Sequence, residues 1–290
     1  ISYNSYEMAY VLGKQDNVAK ITDKFGPLIT KGLQSGKYNR AKIGSRSTAI
    51  NPYYEPTSLL WIDGLDDYSS AKTDLPRTDN MTHAGVFLQR NLSPTQKPEF
   101  GLMAFVGGTH MVHGHASGMD MELYGLGEVL GVEQGKGTYR TDMHENYSRL
   151  FAAHNTIIVN GSSRGEGGWV GLGMNSTQLA AMEPMPLIEA LSPNHSFTRT
   201  NFMDDKGNEA EATQERTLAI IRTSPTTGYY MDVFRSKSAL PNEFHDYLYH
   251  NIGDDLQFLN TNLKLTADEN RYMASASKEW KQNGKYRNPG

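Results

Sequence analysis

The sequence predicts a mainly β protein, an antiparallel β-sandwich preceded by a short helical segment. From about residue 84 onward, apolar and polar residues alternate with a period of two over many short runs. Those runs are separated by Gly-, Asn- and Pro-containing turns, with no helical pattern between them, which argues for two packed antiparallel sheets. A chain of 290 residues with 28 Gly and 16 Tyr is rich in turns and aromatic side chains, as such a fold requires.

Taken in order, the first stretch to about Leu33 carries Tyr6, Tyr10, Val11, Val18, Ile21, Phe25, Leu28 and Ile29 at mostly helical spacings. Gly26-Pro27 is expected to break that helix. Residues 36–58 are polar and read as a long connection, and Leu59-Leu60-Trp61-Ile62 is an apolar island closed by Asp63-Gly64. Residues 1–75 therefore form a helical segment with its linker, and residues 76–290 the sandwich. Strands are predicted over Ala84–Gln89, Phe100–Val106, Met119–Tyr124, Glu128–Glu133, Asn155–Val159, Glu215–Arg222, Gly228–Arg235 and Asp246–Tyr249. Gly125-Leu126-Gly127 has the composition of a tight hairpin connection. The tail from about residue 264 is polar and weakly patterned.

Bulk chemistry narrows the function. The formal charge of −4 with interspersed signs offers no basic field for nucleic acid or an anionic membrane. No run of about 18 apolar residues is present, so no transmembrane helix is expected. Without cysteine there are no disulfides and no thiolate ligands, and any metal must be held by His, Asp or Glu.

The histidines crowd into residues 110–154 around His113-Gly114-His115. In an extended chain, residues two apart face the same way, so His113 and His115 can share one site, with Gly114 permitting close approach. Glu133 ends the apolar run Val129-Leu130-Gly131-Val132, where a carboxylate is costly unless paired or ligating a cation. His154 opens the run Asn155-Thr156-Ile157-Ile158-Val159. Two histidines and a carboxylate from separate strands suit a divalent ion, zinc first, with manganese or calcium as alternatives. The competing reading pairs Glu133 with Arg140 or Arg149. Between these residues lie Tyr139-Arg140 and Tyr147-Ser148-Arg149, tyrosines beside guanidiniums that suit proton transfer on an acidic sugar.

These motifs resemble the heparinase II/III-like polysaccharide lyases. The family pattern runs H-x-H-x-D, then a strand ending in Asp before Gly, then A-H-N-T. His113-Gly114-His115, Glu133-Gln134-Gly135 and Ala153-His154-Asn155-Thr156 follow that order. Asp232-Val233-Phe234-Arg235 and His245-Asp246-Tyr247 are similar too, less specifically. Ser117 and Glu133 depart from the pattern, each standing where the family has Asp.

The resemblance implies an (α/α) toroid followed by a large β-sandwich. Residues 1–75 look like the last toroid helices, so the chain is expected to be a fragment, a processed chain or a reduced member. It also implies β-elimination on a uronate-containing polysaccharide such as alginate or a glycosaminoglycan, with alginate or another unsulfated uronan favoured. His115, Glu133 and His154 would hold a structural metal, and His113 would face the sugar as a catalytic residue, either the base or the group that neutralises the uronate carboxylate. Tyr139 or Tyr147 would move protons, and Arg140 and Arg149 would hold carboxylates. The expected partners are the acidic polysaccharide and either a toroid domain or further copies of the chain, and the expected location is secreted or periplasmic. Two rivals stand beside this reading. A cupin-type metal protein would ligate through Glu122 in place of Glu133. A non-catalytic carbohydrate-binding sandwich would present Trp169, Tyr229 and Tyr230 to sugar.

Overall fold

The computed structural model describes residues 3–37, 75–92, 97–108, 115–133, 135, 137–161, 177–204, 212–238, 240–257, 259, 262, 266 and 272. The chain divides into two compact units, Ile1–Leu75 and Pro76–Gly290. The linker reading of residues 36–58, the Leu59–Ile62 island, His113 and Trp169 fall wholly or mostly outside the described residues.

In the first unit, α1 (Tyr3–Gln15) packs on α2 (Ala19–Gln34). Tyr10, Val11 and Ile29 form its buried centre, flanked by Tyr6, Phe25 and Leu33, so the helical period marks the packed faces correctly. The break lies elsewhere than expected. Asn17 takes the left-handed conformation at φ 56° and ends α1, a position where Asn is tolerated. Helix α2 continues through Pro27, because the buried face on either side of the proline holds the helix together. Among the described residues, no helix is long and apolar enough to cross a membrane.

The second unit is antiparallel throughout its described sheets. One sheet is a five-stranded meander: β1 (Thr78–Met81), β2 (Val86–Asn91), β3 (Leu102–Gly107), β4 (Asp120–Gly125) and β5 (Glu128–Leu130). Strands β7 (Gln178–Glu183), β8 (His195–Asp204), β9 (Ala212–Arg222) and β10 (Gly228–Ser238) make a second meander. Strand β6 (Ile157–Val159) pairs with β11 (His245–Tyr247). Strands β2 and β3 face β8 and β9, and between them lie Leu102, Ala104, Val106, Met121, Leu123, Phe151, Phe202, Leu218 and Ile220. Each large side chain buried there contributes about 1.5–3 kcal/mol. The mainly β sandwich expected from the periodicity is the observed architecture.

Three strands escaped the periodic reading, each for a local reason. Strand β8 turns Ser196, Thr198, Thr200 and Phe202 inward, so its buried face is mostly hydroxyl-bearing and mimics a polar exposed one. Strand β1 is a short polar edge, and β7 carries a bulge between Leu179 and Ala181. The strand expected to run to Glu133 stops at Leu130, because Gly131 adopts φ 58° and turns the chain away. The polar tail also returns to the core at Tyr272, whose hydroxyl donates to Asp246.

Leu126 and Gly127 join β4 to β5 with φ 57° and 81°, the two-residue turn that needs both centres left-handed. Leu126 is three-quarters exposed and gains little by packing. Replacing it with Asn should therefore raise stability by about 1 kcal/mol in urea denaturation. A loss of stability would contradict this account of the turn.

Candidate metal centre and its surroundings

The segment carrying His115 is fixed by backbone contacts on both sides. The Ala116 amide donates to the Arg149 carbonyl at 2.7 Å, and the Thr177 hydroxyl donates to the Gly118 carbonyl at 3.0 Å. Gly118 turns the chain into β4 at φ 61°, and a Cβ there would stand 2.7 Å from the Thr156 hydroxyl. No side chain fits that approach.

Asn155 explains why the residue after His154 matters. It is fully buried, and its amide donates to the carbonyls of Met121 at 2.8 Å and Val132 at 3.4 Å. Its side-chain oxygen accepts the His250 backbone N–H. One side chain thus ties β4, the segment leading to Glu133 and the segment after β11.

These constraints bring three predicted ligands together. One ligand atom from each of His115, Glu133 and His154 lies within 4.8 Å of the others. The buried Asp120 organises the set. Its Oδ1 accepts the Met121 and Asn155 amides, each at 2.7 Å, and its Oδ2 lies 3.0 Å from His154 Nδ1. Glu133 Oε1 approaches the same nitrogen at 3.1 Å, while Glu133 Oε2 takes the Gly135 amide. Neither Arg140 nor Arg149 pairs with Glu133 among the described contacts.

Burial disfavours a charged His154, yet Asp120 and Glu133 outweigh it and push its pKa up to about 9. Burial and the nearby His154 charge lower His115 to about 4, leaving it a neutral donor. Burial works to raise Glu133, but His154 and the Gly135 amide hold it below the usual carboxylate range. The chemistry fits a divalent cation. With Nδ1–H donating to Asp120, Nε2 is the nitrogen that would give up its proton to a bound cation, and it is a buried atom without a hydrogen-bond partner among the described residues. Glu122 lies outside the triad; burial, then Asp120 and Glu133, raise its pKa.

The remaining predicted residues divide by exposure. Tyr139 is 43% exposed with its ring edge-on to His144 at 4.6 Å, and the exposed Arg140 sits beside it at φ 66°. Tyr147 is half-buried against the core, with its hydroxyl 3.2 Å from His250 Nε2. Arg149 is buried, with its guanidinium 3.1 Å from Glu145.

Sequence reasoning missed Asp120, Asn155 and His250. Asp120 lies three residues beyond the place where the motif puts a carboxylate, and His250 is distant in sequence.

Residues 75–212 match the family described as heparinase II/III-like, C-terminal. That segment belongs to the heparinase II/III-like family. Residues 1–76 match the endo-acting ulvan lyase second domain. The chain is 43% identical over 210 residues to the endo-acting ulvan lyase of Formosa agariphila, a match covering 69% of this chain and 25% of that enzyme. It thus spans about a quarter of the length of that relative.

Asp120 satisfies three buried groups, the Met121 and Asn155 amides and His154 Nδ1. Asp120→Ala should destabilise the chain by about 3–5 kcal/mol in denaturant unfolding, and a loss below about 1 kcal/mol would contradict the role given to it.

Proposed function

We propose that the chain is part of a polysaccharide lyase that cleaves a uronate-containing polymer by β-elimination, with a divalent ion held by His115, Glu133 and His154. The likeness to an endo-acting ulvan lyase over 69% of the chain carries this reading, and the assembled triad supports it. Ulvan therefore joins alginate as a substrate to test. Export to the periplasm or beyond suits a polymer of that size.

The reaction removes the proton at C5 of the uronate. The freed electron pair forms the C4–C5 double bond, the C4–O4 bond breaks and O4 takes up a proton. Neutralising the carboxylate makes the C5 proton acidic enough to leave. Arg140 is the guanidinium at the surface and takes that role, while Tyr139, exposed beside it, transfers the proton. Tyr147 suits this work less well, because burial raises its pKa and its hydroxyl is already on His250. His113 is assigned to the sugar side of the site. The ion would cross-link three chain segments and hold His115 in place.

The decisive assay follows the ultraviolet absorbance of unsaturated uronates after mixing the protein with ulvan, alginate or heparan. Growth on at least one polymer is expected, and no growth on any would leave only a binding sandwich. Tyr139→Phe should lower kcat by about 10²–10⁴-fold with folding preserved, and Tyr147→Phe much less. The opposite ranking would transfer the proton-moving role to Tyr147.

A further inference from the structure

Arg216 lies on β9, in the sheet opposite β4, whose first residue is Asp120, and its side chain is fully buried. A guanidinium without water costs several kcal/mol unless every donor is used. Here they are. Nε donates to Asp232 Oδ1 at 3.0 Å and Nη2 to Asp232 Oδ2 at 2.8 Å, a bidentate pair. Nη2 also meets Met121 Sδ at 3.2 Å. Nη1 spends both protons on two backbone carbonyls, those of Met119 and Asn155.

Those carbonyls belong to the residue before Asp120 and the residue after His154. The guanidinium thus spans the two chain segments whose side chains meet at the His154 Nδ1. Its own position is fixed from behind. Asp232 accepts the Tyr247 hydroxyl at 2.7 Å, and the Phe234 ring lies 4.9 Å from the guanidinium carbon. The Asp232–Phe234 and Asp246–Tyr247 pieces singled out in the sequence therefore converge on one cation.

Well-packed apolar residues often stabilise a core as much as a buried ion pair does. What apolar residues cannot do is hold two carbonyls from separate segments at a fixed separation. We propose that Arg216, oriented by Asp232, is a positioning residue of the triad: it sets the backbone spacing that places Asp120 on His154. This rests on the reading of the triad as a metal site.

The test loads the protein with Co²⁺ and reads its ligand-field spectrum, together with the Co²⁺ affinity from chelator competition. Arg216→Lys and Asp232→Asn are compared with Arg222→Lys. Arg222 is another buried arginine of β9 and is bonded to Asn91 and Phe100, away from the triad. Arg216→Lys and Asp232→Asn should alter the spectrum and weaken affinity by about 10–100-fold. Arg222→Lys should keep both near the parent values even where its thermal midpoint falls as far. Equal losses in all three variants, or none in the first two, would overturn the proposal. If Arg216→Lys does not fold, Asp232→Asn decides alone. A parent protein that takes up neither Co²⁺ nor Zn²⁺ would refute the metal reading, and this inference with it.

Discussion

A carboxylate removed from water has to be bonded at nearly every lone pair, and the arrangement around Asp120 follows from that demand. Two backbone amides and an imidazole nitrogen converge on its two oxygens. Each of those groups would be costly to bury alone, so the cluster exists as a unit or not at all. The turn at Gly118, the anchoring by Asn155 and the clamp from Arg216 all serve to deliver groups to this point. His154 inherits its orientation from the arrangement, and the triad inherits its spacing from His154.

Much of this was legible in the residues. The three candidate ligand positions could be read, His115 from its two-residue spacing to His113 and Glu133 and His154 from their places at the ends of apolar runs. The two meanders were legible wherever the inward face is apolar, as along β3 and the Leu218–Ile220 stretch of β9. Strand β8 was not, since Ser196, Thr198 and Thr200 occupy buried places normally held by aliphatic side chains. The end of α1 depended on a single left-handed Asn, which a periodicity count does not register.

The site's supporting groups were harder to see, and the reason is geometric. The motif leads one to look for a carboxylate at position 117, where this chain has serine. The structure supplies a buried carboxylate three residues later, at the first residue of β4, where the strand aims it at His154. His250 and Asn155 become neighbours only because β11 pairs with β6, a contact between residues about ninety positions apart. Spacing along the chain carries no trace of such a meeting. The two tyrosine–arginine pairs illustrate the same limit: they look alike in sequence, yet Tyr139-Arg140 is exposed while Arg149 is sealed in with Glu145.

The clamp by Arg216 has a consequence for the order of assembly. Its two carbonyl partners lie 97 and 61 residues earlier in the chain. The contacts that fix Asp120 and His154 therefore close only when β9 docks across the core. Long-range closures of this kind form late, after local hairpins such as that between β4 and β5. The triad thus matures near the end of folding, and a chain presenting all three ligands in register has already brought its two sheets together.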